Sequence, residues 1–176
     1  MWCEVSAARV PYAETHTVEA GAATSSRGEA MKLTSQDESD IRGILDDYIG
    51  LWMDGQAQAC ADLYEESGDA LAVDGKFLRG RDEIKQYYDE VMSGKYSGLE
   101  VRHLRNLGIR ALGEGVAIMD ATWEVHAPSD DASSSTTVGR PICSLVVVRT
   151  EDGWKITAAR LMEPMTPETL ATRQDG

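Results

Sequence analysis

The chain has 176 residues, enough for one domain with a substantial core. Its 30 acidic and 17 basic residues give a formal net charge of −13, which disfavours nucleic acid and anionic membrane surfaces as partners. The three cysteines have no metal-ligand spacing, and no apolar run approaches the roughly 20 residues of a membrane span, so we expect a cytoplasmic protein with reduced thiols.

The two ends of the chain differ in composition from its centre. Residues 1–33 are rich in small and polar side chains without periodicity, which predicts a disordered arm. Met31 directly precedes the first helix signal, and we also consider it as an alternative translation start. The folded domain is predicted over 34–166, followed by a flexible tail over 167–176.

The first helix is predicted from a capping signal and an apolar stripe. Ser35 and Glu38 fit a capping box, in which the serine side chain and the glutamate satisfy backbone donors. Tyr48 and Trp52 then lie on the apolar stripe of that helix. A tyrosine at such a position is either a core residue or a hydrogen-bond donor that faces a pocket.

Two further helices and two short strands follow. A short apolar stripe over 57–64 predicts a second helix, which Gly68 ends. Residues 70–73 predict a strand that runs into the turn pair Asp74–Gly75. A third helix is predicted from Gly80, and its buried face includes Tyr88.

The second half of the chain changes from helical periodicity to alternation. Strands are predicted over 99–112, 116–126, 138–149 and 154–163, with a polar loop over 127–137. His126, where that loop begins, is expected to be solvated. One face of the second of these strands carries Ala117, Met119, Ala121, Trp123 and Val125. Helices followed by a long antiparallel meander predict an α+β fold, in which three N-terminal helices wrap a curved, mainly antiparallel, cone-shaped sheet.

The chain resembles the nuclear transport factor two-like superfamily, which includes ketosteroid isomerase, scytalone dehydratase, limonene epoxide hydrolase and the SnoaL polyketide cyclases. Within it, the sequence is most similar to the SgcJ/EcaC group. The resemblance covers about residues 36–165 and rests on the segments Tyr48–Trp52, Asp62–Tyr64, Val73–Gly75, Gly80–Ile84, Arg140–Pro141, Val146–Arg149 and Asp152–Ile156. It implies a cystatin-like α+β barrel around an apolar pocket.

The resemblance also implies roles for individual residues. Tyr48 matches the tyrosine that donates to the oxyanion in ketosteroid isomerase, and Asp74 falls, with a short insertion, at its general base. Cys143 stands in the segment where that enzyme has a protonated aspartate. Because Asp–Gly is also a common turn pair, Asp74 has a purely structural alternative.

A second proton-transfer pair is predicted from the strands. Asp120 lies mid-strand, and His103 on the neighbouring strand is its candidate partner, provided that this face lines the cone. If the face is solvated, Asp120 is only a polar surface position. The predicted substrate-binding residues are Trp52, Tyr64, Tyr88, Met119, Trp123 and Cys143. Arg140 and Arg160 could anchor a ligand carboxylate, but ion pairs with acidic surface residues are the favoured interpretation.

These features favour a cofactor-independent acid/base enzyme acting on an apolar, polycyclic or polyketide-like molecule, as an isomerase, dehydratase or cyclase. A non-catalytic binding protein and an oligomerisation module of the same fold are the alternatives. We expect no metal and no cofactor, because neither ligand spacing nor a phosphate-binding loop is present in the sequence. A homodimer is expected through the outer face of the sheet.

Overall fold

The computed structural model describes residues 32–94, 97–127 and 136–164, except the side chain of His103. The predicted tail and nearly all of the predicted arm lie outside these ranges. Leu33, the last residue of the predicted arm, is partly buried and packs against the core. Among the described helices, none combines the length and apolar character needed to cross a membrane.

Helix α1 spans Ser35–Met53 and begins one residue earlier than the sequence predicts. Its N-cap is Thr34, whose side chain accepts a hydrogen bond from the Asp37 backbone, while the Asp37 carboxylate accepts from the Thr34 backbone. The capping box is therefore Thr34–Asp37 rather than Ser35–Glu38. The helix buries Ile41, Ile44 and Leu45 against the sheet core, as its apolar stripe requires.

The second helix is shorter than predicted. Helix α2 spans Ala57–Asp62, and Tyr64 already begins strand β1, Tyr64–Leu71. Long-range pairing decides this boundary, because β1 pairs in parallel with the last strand and the Ile156 amide donates to the Leu63 carbonyl at 2.9 Å. Gly68 lies inside the strand, where an added Cβ would come within 2.9 Å of the Ile156 carbonyl oxygen.

The remaining elements follow the predicted order. Strand β2 is Phe77–Arg79 and helix α3 is Gly80–Ser93. Then come β3 (Glu100–Gly113), β4 (Val116–Ala127), β5 (Thr136–Gly139), β6 (Ile142–Thr150) and β7 (Gly153–Met162). The predicted strand 138–149 is thus interrupted at Arg140 and Pro141, because proline has no amide hydrogen for the ladder.

The strands form one sheet in the order β2-β1-β7-β6-β4-β3, with β5 paired to β4. All these pairs are antiparallel except β1 with β7. Of the apolar face predicted for β4, Val125 is partly exposed and the other four residues are buried: Ala117, Met119, Ala121 and Trp123. The α+β fold with helices ahead of a mainly antiparallel sheet is confirmed.

His126 departs from the predicted pattern. It is only 7% exposed rather than solvated, and its Nε2 lies 3.1 Å from Glu124 Oε2. Alternation of buried and exposed positions breaks here, where the pairing of β4 with β5 shifts register between Val125 and His126.

Candidate functional site

A cavity of about 330 Å³ lies between the helices and the inner face of the sheet. Its size is at the lower end of ordinary small-molecule sites. The aromatic part of its lining comes from α1, α3 and β4 and consists of Tyr48, Trp52, Tyr87, Tyr88 and Trp123. Aliphatic side chains from several strands complete the wall, among them Ala70, Leu78, Val101, Val125 and Leu161.

The aromatic wall is a set of mutually packed rings. The Trp52 and Tyr88 ring centroids are 5.8 Å apart in an edge-to-face arrangement. Tyr48 packs against both rings, with its centroid 5.9 Å from that of Tyr88 and 6.1 Å from that of Trp52. Such tilted pairs stabilise one another beyond simple burial, so the wall is pre-formed.

Three tyrosines pack close together beside this wall. The hydroxyls of Tyr64 and Tyr88 are 3.1 Å apart, and the Tyr48 ring packs against the Tyr88 ring. Burial raises the pKa of all three phenols well above 10, so each is a neutral donor at ordinary pH. Tyr48 lines the cavity, where its hydroxyl can donate a hydrogen bond to an oxygen of a ligand.

Tyr64, Met119 and Cys143, predicted to contact substrate, do not line the cavity. Tyr64 and Cys143 border a separate void of only about 10 Å³, and Met119 is fully buried. Burial raises the pKa of the Cys143 thiol to about 12, with a smaller contribution from Asp120. These residues support the wall from behind, whereas the predicted Trp52, Tyr88 and Trp123 do line it.

Asp74, predicted as the general base, is a turn residue outside the cavity lining. Its carboxylate accepts a hydrogen bond from the Lys76 backbone at 3.1 Å and lies 3.9 Å from the Lys76 ammonium. Strand β1 ends at Leu71, so Asp74 belongs to the exposed connection to β2. The structural alternative for the Asp–Gly pair is the one that the fold uses.

Asp120 lies on the outer face of the sheet, opposite to the cavity. Ser144 on the paired strand β6 donates its hydroxyl to the Asp120 carboxylate at 2.5 Å. The cross-strand partner of Asp120 on β3 is Gly108, so the His103 backbone lies about 17 Å away along the strand. This register argues against the predicted Asp120–His103 pair, although the His103 side chain is not described.

Glu163 is the charged residue that sequence reasoning missed. It follows β7, lines the cavity and is exposed at its mouth. The Arg140 backbone amide donates to Glu163 Oε1 at 3.2 Å, and a Cβ on Gly139 would lie 3.4 Å from Oε2. A carboxylate just before Pro164 carries no local signal of a site, because only the pairing of distant strands brings it to the cavity.

The two arginines that could have anchored a ligand carboxylate form ion pairs with acidic residues instead. This is the interpretation that the sequence favoured. Arg140 Nε lies 3.1 Å from Glu124 Oε1, and Arg160 Nη1 lies 2.5 Å from Asp69 Oδ1. Within the described residues, no group of three or more His, Cys, Asp or Glu side chains is placed to hold a metal ion.

Comparison with solved structures shows the fold. A cystatin-like domain of unknown function from Nostoc punctiforme is 22% identical, with a TM-score of 0.72 over 81% of this chain and 86% of that one. A proposed scytalone dehydratase from Novosphingobium aromaticivorans is 18% identical, with a TM-score of 0.63 over 74% of this chain and 85% of that one. A proposed dehydratase of the NTF2-like family from Streptomyces avermitilis is 15% identical, with a TM-score of 0.64 over 76% of this chain and 100% of that one.

At these identities the solved structures establish the cystatin-like fold and not an activity. No curated protein matches the sequence. The family model of the SnoaL-like domain matches residues 41–161, which hold both the helices and the sheet around the cavity. The chain belongs to the SnoaL-like domain family.

Proposed function

We propose that the protein binds a small, apolar, ring-containing molecule in the cavity and polarises an oxygen atom of that molecule through Tyr48. The observation that carries this proposal is that Tyr48, a phenol that stays neutral at ordinary pH, lines the apolar cavity. A neutral phenol beside an apolar wall is a strong donor to a carbonyl or phenolate oxygen, because water does not compete for it there.

Acid/base catalysis of the isomerase, dehydratase or cyclase type is the second candidate, with a polycyclic or polyketide-like substrate. The observation that favours it is that a phenol and a carboxylate, Tyr48 and Glu163, line the same cavity. The carboxylate would take a proton from a carbon next to a carbonyl, the electron pair would move to the carbonyl oxygen, and Tyr48 would stabilise that oxygen. The proton would return to another carbon in an isomerase. The dehydratase names of two solved relatives support this class.

Calorimetric titration with naphthol, a planar two-ring phenol, tests the role of Tyr48. We expect naphthol to bind the wild type, and Tyr48→Phe to weaken binding ten-fold or more, which is about 1.4 kcal/mol. Naphthalene, which lacks the hydroxyl, should bind both proteins equally and shows that the cavity is intact. Equal affinity of naphthol for the two proteins would remove Tyr48 from the proposed function.

A homodimer through the outer face of the sheet is a further part of the proposal. Ile118, Val146 and Ala158 form a partly exposed apolar row across strands β4, β6 and β7. The adjacent row carries Asp120 at one end and Arg160 at the other. A two-fold axis that runs through this face parallel to the strands would place Asp120 of each copy opposite Arg160 of the other, while Arg160 also pairs with Asp69 of its own chain.

A further inference from the structure

The cavity wall combines aromatic faces with one negative charge. Five of its side chains are tyrosine or tryptophan, whose ring faces attract cations. One ring of the wall already has a cation over it, since the Lys76 ammonium is 5.2 Å from the Tyr87 centroid. Among the described residues that line the cavity, Glu163 is the only charged one.

Glu163 retains hydrogen-bonding capacity for a ligand. Its carboxylate accepts one hydrogen bond in the described structure, from the backbone amide of Arg140. An ionised carboxylate has about four lone-pair sites, so most of its accepting capacity is available at the cavity mouth. The backbone bond holds the carboxylate in place without neutralising its charge.

Three basic side chains, those of Arg140, Arg160 and Lys76, form ion pairs with other acids and do not compensate this carboxylate. The guanidinium of Arg140 pairs with Glu124, and that of Arg160 pairs with Asp69. The Lys76 ammonium lies 3.9 Å from Asp74 and 3.8 Å from Glu90. A ligand anion at the mouth would therefore meet a carboxylate. The cationic groups of these three described side chains are already paired with acids.

We propose that the cavity selects apolar amines, with the rings of the ligand against the aromatic wall and its ammonium group at Glu163. The formal net charge of −13 favours the approach of such a cation over that of an acid of the same shape. The inference rests on the binding part of the proposed function and assigns Glu163 to recognition rather than to proton transfer. Because Glu163 is exposed, we expect a moderate, salt-sensitive preference.

Three probes of one shape test this selectivity by calorimetry: naphthylmethylamine, naphthylmethanol and naphthoate. At low salt the amine should bind at least five-fold more tightly than the alcohol, and the acid should bind most weakly. Glu163→Gln should bring the amine to within two-fold of the alcohol while leaving the affinity for the alcohol unchanged. The retained alcohol affinity shows that this variant is folded.

A charge-matched control is Glu151→Gln, which removes an exposed acid from the turn before β7, at the opposite end of that ten-residue strand from Glu163. It should leave the preference for the amine intact.

If the alcohol binds and the amine binds no better, the selectivity is overturned while the proposed binding function stands. If Glu151→Gln abolishes the preference as strongly as Glu163→Gln does, net charge and not Glu163 is responsible, and the inference is overturned. If none of the probes binds, both the inference and the proposed function fail.

Discussion

Tyr48 can serve the site only as a hydrogen-bond donor. Burial holds its pKa well above 10, so the phenol cannot act as a base at ordinary pH. Tyr88 and Tyr64 behind it are neutral for the same reason, and their hydroxyls are 3.1 Å apart. Any proton acceptor in a reaction must therefore come from another group at the cavity.

Spectrophotometric titration of the folded protein should show these raised values. Of the six tyrosines in the sequence, Tyr48, Tyr64 and Tyr88 should remain protonated well above pH 10. Since their pKa is raised by folding, the unfolded chain loses these protons first, and stability should fall as the pH rises above 10. If all six tyrosines titrated together near pH 10 in the folded protein, the burial of these three hydroxyls would be contradicted.

Asp74 should be dispensable for binding. Asp74→Asn removes a carboxylate that interacts with Lys76 in an exposed turn, so naphthol affinity should stay within two-fold of the wild type. Urea unfolding should change little, because exposed ion pairs contribute at most about 1 kcal/mol. A ten-fold loss of affinity, measured by calorimetry, would restore the role implied by the resemblance to ketosteroid isomerase.

The site residues that could be predicted are those whose position follows from local periodicity. Tyr48, Trp52, Tyr88 and Trp123 lie on apolar faces of a single helix or strand, and all four line the cavity. Glu163 could not be predicted, because its place depends on how β7 pairs with distant strands. Asp74, for which the resemblance implies a catalytic role, lies in an exposed turn outside the cavity lining, as its local turn signal indicates.

At the scale of elements, the N-terminus of α1 is fixed to the β6–β7 hairpin by one carboxylate. Asp37 accepts from Thr34 within the capping box, from Trp154 Nε1 at 3.4 Å and from the Arg149 guanidinium. The Arg149 guanidinium also stacks over the Trp154 ring, 4.7 Å from its centroid. This cluster lies at the opposite end of β7 from Glu163 and positions the helix that carries Tyr48.

Asp37→Asn should destabilise the protein in a pH-dependent way. The backbone hydrogen bond with Thr34, then its side chain, and then Arg149 and Trp154 lower the pKa of Asp37 from 3.8 to about 2. A carboxyl with a depressed folded pKa stabilises the fold above its unfolded pKa, and this stabilisation is lost as the pH falls through about 4 towards 2. The variant should therefore have a lower urea midpoint at pH 7, with the difference shrinking over that acid range.

Asp40→Asn is the matched control for this prediction. Asp40 lies in the same helix and is exposed, where it accepts a hydrogen bond from Gln36 at 2.6 Å. It should change the urea midpoint little at any pH. A constant difference between Asp37→Asn and wild type down to pH 2 would show that the charge of Asp37 has no special role.

The boundaries of elements were predicted less well than their existence. Tyr64 continues the helical spacing of Ala57, Cys60 and Ala61, yet it begins a strand. The parallel ladder with β7 determines this outcome, and no local pattern reports a partner about 90 residues away. Helix α3, whose apolar stripe and first-turn acids agree with its packing, begins at Gly80 as predicted.

For the whole molecule, the order of periodicities was sufficient to predict the fold. Three helices followed by a long meander leave few ways to cover one face of a sheet, and the SnoaL-like family match agrees with the result. The ligand could not be predicted in the same way. Its shape and charge depend on which side chains meet in the cavity, and that is settled by long-range pairing.

The proposed dimer gives a prediction at this scale. Val146→Asp places a charge in the apolar row of the outer face, so sedimentation should show a shift from dimer to monomer. Gln86→Glu, which adds a charge on the exposed side of α3, should leave the dimer intact. A wild type that sediments as a monomer, or a Val146→Asp variant that remains dimeric, would contradict the proposed interface.

The central claim is that the cavity holds a small apolar molecule whose oxygen accepts a hydrogen bond from Tyr48. The most direct measurement is a crystal structure of the protein with naphthol. The account predicts the naphthol rings against Trp52 and Tyr88, with the oxygen about 2.7–2.8 Å from the Tyr48 hydroxyl. Naphthol outside the cavity, or inside it with its oxygen turned away from Tyr48, would contradict the account.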